Sequence, residues 1–332
     1  MQYRSVKGFS GWSQLAILLV FFGLGFILAG GVQALIGLQL VPSGLPADKM
    51  VEAITAAMAK PENVGYARLA QVLGTLLWLF VPTALYLFVC HGKNTIWLGF
   101  NKHINGWQIL IGFFIIFCAN LIAGPLEEMS KNMLAHFPGI NALALRMEDA
   151  YSEQVTVLSN LKSWPEFLMA LAIMAFFPAM FEEIFFRGAL QNLLERWWKA
   201  PLVAIIVTSL LFSVIHMSIY LFLSRAVLGF VLGLMYQRSK NIWVNIIAHF
   251  LNNAVALTQL FWLSQHNKKI ELDKIDPKFP LWGGLIAVAF TYGLFILFQN
   301  VSAKNRNLVA IKEQELLDKA DSINFFAQKR NP

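Results

Sequence analysis

Phe181-Glu182-Glu183-Ile184-Phe185-Phe186-Arg187-Gly188 closes a long apolar run, and it carries three charges where a membrane-spanning helix should carry none. Two later fragments repeat the anomaly: Phe212-Ser213-Val214-Ile215-His216 and His249-Phe250-Leu251-Asn252-Asn253. Each lies in or against an apolar stretch long enough to cross a bilayer. An ionisable group at bilayer depth costs free energy, so by default it marks a functional site. Two carboxylates, two imidazoles and an amide on three spans point to a catalytic centre built inside a membrane.

The whole chain agrees. Of 332 residues, 57% are hydrophobic and 14% charged, against about 25% charged in a soluble domain. The expected fold is an all-α polytopic helix bundle in a lipid bilayer. The formal net charge of +7 fits Lys and Arg in cytoplasmic loops beside anionic lipid, and no nucleic-acid partner is expected. Cys90 and Cys118 both sit in apolar runs, without the spacing of a disulfide framework or a zinc ribbon. The first apolar run, after Arg4 and Lys7, is too long for a signal-peptide core and reads as a retained span.

A helix needs about 20 apolar residues to cross the hydrocarbon core. Eight stretches qualify: residues 15–38, 67–90, 107–126, 166–187, 201–218, 220–237, 242–263 and 280–300. The fifth and sixth are separated only near Ser218 and Ile219, so they should form a hairpin. Pro82 and Pro178 lie within spans, which membrane helices tolerate when neighbours satisfy the freed backbone groups. Connections 1–13, 91–106, 188–200 and 238–241 are short and basic, with Glu195 their only acid; 39–66, 127–165 and 264–279 are longer and mix acids with bases. Short basic loops favour the cytoplasm, which puts both termini there. Residues 303–332 carry Leu308, Ile311, Leu316 and Leu317 at helical spacing and read as a cytoplasmic amphipathic tail. With no internal repeat, residues 1–302 form one transmembrane domain with its catalytic core at about 165–263.

The motifs have a chemical logic. Glu183 and Arg187 stand four apart with the acid first, the favourable order for a helical ion pair. Glu182 lies about 100° round the helix, free to face a polar cavity, where partial desolvation suits a carboxylate to general-base work. The same fragment also reads as a helix-end ion pair with a second, solvated acid. His216 shares a face with Phe212, and His249 shares one with Asn253. Either pair suits hydrogen bonding to a polarised carbonyl, or a metal, although a lone helical histidine is more often a satisfied core residue. Asn252, one step round, should meet a neighbouring helix. Helical rise puts His249 roughly 10 Å and His216 roughly 20 Å from the cytoplasmic ends of their helices. A fourth helix running on toward Glu195 would bring these depths together, in the cytoplasmic half.

The order Glu182-Glu183-x-x-x-Arg187, Phe212-x-x-x-His216, His249-x-x-x-Asn253 resembles the CPBP family of intramembrane proteases. That family includes CAAX-processing endopeptidases and bacteriocin-processing or self-immunity proteins. Phe186 and Gly188 extend the first motif as in bacterial members, which implies a bacterial cell (inner) membrane. The resemblance covers about residues 165–263. It implies hydrolysis of a peptide bond in a membrane-associated protein or peptide, with Glu182 activating a water assisted by His216. His249 and Asn253 would hold the oxyanion or help bind a metal, while Glu183, Arg187, Phe186 and Phe212 would give structural support. A Zn2+ ion with His216 and His249 as ligands is the favoured form, and a metal-free Glu/His form stays open.

Other polar residues carry less. Glu127-Glu128 reads as a solvated pair opening a loop. Arg225 either snorkels to the interface or binds a carboxylate or substrate terminus. Trp197 and Trp198 beside Lys199 suit an interfacial belt, and Gly229 and Gly233 a close helix contact. An ion- or proton-coupled transporter using the same residues would call for inverted repeats or broken helices, which the sequence lacks. A non-proteolytic immunity or scaffold protein on this fold is the remaining alternative.

Overall fold

The computed structural model describes residues 3–158, 161, 163–266 and 280–330, with Leu281 and residues 320–330 described in backbone only. Part of the connections 127–165 and 264–279, and the last two residues of the tail, lie outside the described residues. Apart from one antiparallel bridge between Arg4 and Ser10, every element described is helical. In chain order the helices are α1 (Gly11–Leu38), α2 (Ala47–Met58), α3 (Pro61–Cys90), α4 (Gly106–Leu134) and α5 (Pro138–Leu158). There follow α6 (Trp164–Trp198), α7 (Pro201–Val214), α8 (Phe222–Ser239), α9 (Ile242–Gln265) and α10 (Leu281–Arg330).

Local chemistry explains the boundaries. Ser10 accepts from the Ser13 amide to cap α1, Asn105 and Gln108 form a reciprocal capping box at the start of α4, and Asn241 accepts from the Trp243 amide to open α9. Lys199 and Lys240 take left-handed backbone conformations that stop α6 and α8. Two prolines fall just beyond widened, π-helical turns: Pro82 after Leu76–Phe80, and Pro178 after Leu171–Phe176. Proline cannot donate to the residue four back and its ring crowds that carbonyl. A widened turn absorbs both effects without breaking the helix. A third π-helical stretch, Ile184–Gln191, follows the acidic pair directly, and all eight of its residues are buried.

Among the described residues, six helices are long and apolar enough to cross a membrane: α1, α3, α4, α6, α9 and the first part of α10. The expectation of eight is therefore corrected. α7 is apolar but has 14 residues, about 21 Å at helical rise against a core of about 30 Å. It ends at Val214 rather than near 218, because the chain turns through residues 215–221. α8 interleaves Ser224, Arg225, Gln237 and Arg238 with its apolar residues and is not among the six. The expected hairpin of these two helices is present, and it is close. A Cβ on Gly229 would lie 3.2 Å from the Phe212 ring, and one on Gly233 would lie 2.8 Å from Ile205.

Two of the expected loops contain helices. α2 lies within 39–66, and α5 lies within 127–165 and is tied to the α7–α8 turn. Tyr220 donates to Asn141 at 2.6 Å, and Ser218 donates to Glu148 at 3.3 Å. Burial raises the Glu148 carboxyl above its ordinary pKa. Glu127 and Glu128 do not open a loop, since α4 continues to Leu134; Glu127 pairs with Lys131 at 2.7 Å, and Glu128 is exposed.

The core has two main parts. Leu18, Leu79, Phe181, Phe185 and Phe186 join α1, α3 and α6, while Ile115, Met235, Val244 and Phe298 join α4, α8, α9 and α10. Ile27 of α1, Leu202 of α7 and Phe290 of α10 point outward. Such outward apolar faces suit lipid, which does not penalise them. Cys90 and Cys118 are free. α10 shows no break at residues 302–303: Glu313 accepts from Arg196 at 2.8 Å, and Leu316 and Leu317 pack on the first core, while Leu308 and Ile311 are exposed.

Gly188 sits where the segment 91–105 crosses α6, and a Cβ there would lie 2.9 Å from the backbone oxygen of Leu98. Gly188→Ala should cost about 1–3 kcal/mol through overpacking. A lowered midpoint of thermal unfolding in detergent would register that loss.

Candidate active site

Glu183 is fully buried and fully used. Its Oε1 accepts from Arg187 Nη1 at 2.8 Å and faces His249 Nδ1 at 2.9 Å, while its Oε2 accepts from Asn245 at 3.2 Å. Arg187 donates from Nη2 to the Gly229 carbonyl at 2.9 Å and lies over the Phe212 ring, 4.7 Å from its centroid. Asn245 also donates to Leu232 O at 2.7 Å. One ion pair thus links α6, α8 and α9. Phe186 meets the edge of Phe212 at 5.2 Å and completes the aromatic floor.

Glu182 has none of these partners. Its Oε2 lies 3.9 Å from Nε2 of His216 and 3.9 Å from Nε2 of His249. Both separations exceed a hydrogen bond and leave room for a bridging water. The tautomers follow from the opposite ring atoms. His216 Nδ1 lies 2.6 Å from the Phe212 carbonyl, which only accepts, and His249 Nδ1 lies against the Glu183 carboxylate. Each Nδ1 therefore carries its proton, and in the neutral rings both Nε2 lone pairs face Glu182. Three acceptors surround one gap. Such a gap calls for a proton donor, such as water, or for a cation.

These groups line a pocket of about 400 Å³ together with Asn252, Asn253, Arg225 and Met174. Asn252 accepts from Asn120 of α4 at 2.5 Å, meeting a neighbouring helix as expected, and its amide lies 3.4 Å from Asn253 Oδ1. Among the described residues, no group of three His, Cys, Asp or Glu side chains could hold a metal ion. The imidazole pair suits zinc in kind but falls short of the three protein ligands usual in a catalytic site.

The depth expectation required the fourth helix to run on toward Glu195. α6 does run on past Glu195, but Glu182 then lies near the middle of the helix, and His216 sits on the turn beyond α7. The cavity extends toward Gln71, Tyr151, Gln154 and Leu158, at the end of the bundle with the acid-containing connections. Gln154 donates to Gln71 at 3.3 Å across that wall. Sequence reasoning passed over Asn245, Asn120, Gln71, Tyr151 and Gln154. Asn245 was findable, since it precedes His249 by four residues on the same helical stripe, and Asn120 is an amide inside an apolar span. Gln71, Tyr151 and Gln154 carried no local signal.

Comparison with known proteins bears on the same segment. Residues 164–255 match the family model of type II CAAX prenyl endopeptidase Rce1-like proteins. The "Uncharacterized protein YpbD" of Bacillus subtilis (strain 168) is 31% identical over 103 residues, covering 30% of this chain and 48% of that protein. The chain thus spans about half the length of this curated relative. No solved structure matches. The family likeness and the apolar helices together make this an integral membrane protein.

Breaking the Glu183–Arg187 pair should destabilise strongly. Arg187→Ala leaves a buried carboxylate uncompensated and should cost about 3–5 kcal/mol. Combining Arg187→Met with Glu183→Gln should recover much of that loss, read as the unfolding midpoints of both variants.

Proposed function

We propose, from the match of residues 164–255 to the Rce1-like type II CAAX prenyl endopeptidase family, that the protein is an intramembrane endopeptidase. It hydrolyses a peptide bond of a membrane-associated protein or peptide, in the cell membrane of a bacterium. The observation that carries this reading is the gap between Glu182 Oε2 and the two Nε2 atoms, each 3.9 Å away.

Glu182 takes a proton from a water in this gap as the water oxygen attacks the substrate carbonyl carbon. His216 holds the water through its Nε2 lone pair. The developing oxyanion takes hydrogen bonds from the Asn253 amide and from His249 when its Nε2 is protonated. On collapse, Glu182 returns the proton to the leaving amine nitrogen. Glu183 and Arg187 touch no substrate; they orient His249, as a carboxylate behind an imidazole does in many hydrolases.

A divalent ion belongs to the proposal as the expected cofactor. It would be held by His216 and His249 through Nε2, and when bound it would polarise the carbonyl and acidify water. The steps above need only the chain's own residues.

Glu182→Gln should lower cleavage of a membrane-associated peptide by roughly a hundred- to ten-thousand-fold, the usual contribution of a general base, with the unfolding midpoint unchanged. Undiminished cleavage would refute the assignment. Elemental analysis of purified protein decides the cofactor: stoichiometric zinc in wild type that disappears in His216→Ala supports the ion, and equal trace zinc in both speaks against it.

A further inference from the structure

Among the described residues Arg225 is the one lysine or arginine lining the pocket, and the hydrolytic steps leave it without a role. It stands on the first turn of α8. Its Nη1 donates to the backbone oxygen of His216 at 3.1 Å, and its guanidinium lies over the Tyr151 ring, 4.9 Å from the centroid. Other inward cations are answered: Arg187 by Glu183, Arg196 by Glu313, Lys240 by Glu195, and Arg68 by the Leu158 carbonyl through two nitrogens. No carboxylate among the described residues lies within 4 Å of Arg225; the Glu148 carboxyl feels its charge from farther off and takes its hydrogen bond from Ser218 instead.

A guanidinium stays charged and presents a planar fork of donors matched to a carboxylate. Partial withdrawal from water without a directly paired carboxylate is costly, and an anionic ligand group relieves that cost. His216 spans the two functions, with Nε2 at Glu182 and its backbone oxygen on Arg225. Two or three extended peptide residues, at about 3.3 Å each, cover the length of one histidine plus a hydrogen bond.

We propose that Arg225 binds a carboxylate of the substrate and so sets the distance between that group and the bond cleaved. The shared chemistry is a carboxylate, supplied by the peptide's C-terminus or by an acidic side chain. Arg225 is thus a specificity-determining residue, and the assignment rests on the peptidase reading above.

The test uses binding, so that it does not depend on turnover. A fluorescein-labelled apolar dodecapeptide is titrated by anisotropy against the Glu182→Gln protein in detergent, as free acid, as amide, and as amide ending in glutamate. The free acid should bind roughly ten- to a hundredfold tighter than the amide, as expected of a charge-assisted bidentate contact. Adding Arg225→Gln should erase the difference, and Arg225→Lys, which keeps the charge on a folded scaffold, should restore part of it. Recovery of affinity by the glutamate-ended amide assigns the contact to side chains as well, and no recovery assigns it to the terminus. A preference unchanged without Arg225, no preference at all, or no binding of any form would overturn the proposal. Cleavage of the free acid by wild type, run in parallel, reports separately on the peptidase reading.

Discussion

The buried ion pair of Glu183 and Arg187 is the constraint on which the site depends. A carboxylate with no exposure is tolerable only where both of its oxygens are hydrogen-bonded, and here Arg187, Asn245 and His249 serve them. The arginine reaches on to the Gly229 carbonyl. Three helices that contribute to one pocket are therefore held by a single charge network. Replacing it by apolar residues of similar volume would not repeat the effect on His249, whose ring is oriented by the same carboxylate.

Division of labour between adjacent acids follows from helical geometry. A step of about 100° takes Glu183 into the core and turns Glu182 to the pocket, so neighbours in sequence occupy opposite environments. The π-helical stretch Ile184–Gln191 begins just after them and is wholly buried, as expected where a helix is adjusted around a functional position. His216 reaches the same gap by a different route. Because α7 stops after 14 residues, the histidine sits on a turn, its Nδ1 held by the Phe212 carbonyl one turn back.

Elements outside the family-matched segment shape the cavity rather than its chemistry. α5 lays Tyr151, Gln154 and Val155 along the pocket, and α3 supplies Gln71. α5 is held to the α7–α8 turn by Ser218 with Glu148 and by Tyr220 with Asn141. One wall of the pocket is therefore built by a helix that composition alone marks as a connection. These walls also place Arg225, whose guanidinium rests on Tyr151.

By itself the sequence determined the class of the fold and singled out Glu182, His216, His249 and Asn253, which line one pocket. Long apolar runs leave helices as the spanning structure, since backbone groups have no other partners in hydrocarbon. Charges and amides inside such runs are costly enough to stand out without any coordinates. The pairing of Glu183 with Arg187 and the freedom of Glu182 were likewise legible, because helical spacing is a local property. Tertiary structure decided what spacing cannot carry: that α7 is too short to span, that Glu127 pairs within a longer α4, that α5 covers the pocket, and which nitrogen of each imidazole faces Glu182. Each of these depends on packing between segments far apart in the chain, and long-range packing leaves no periodic trace in the residues that take part.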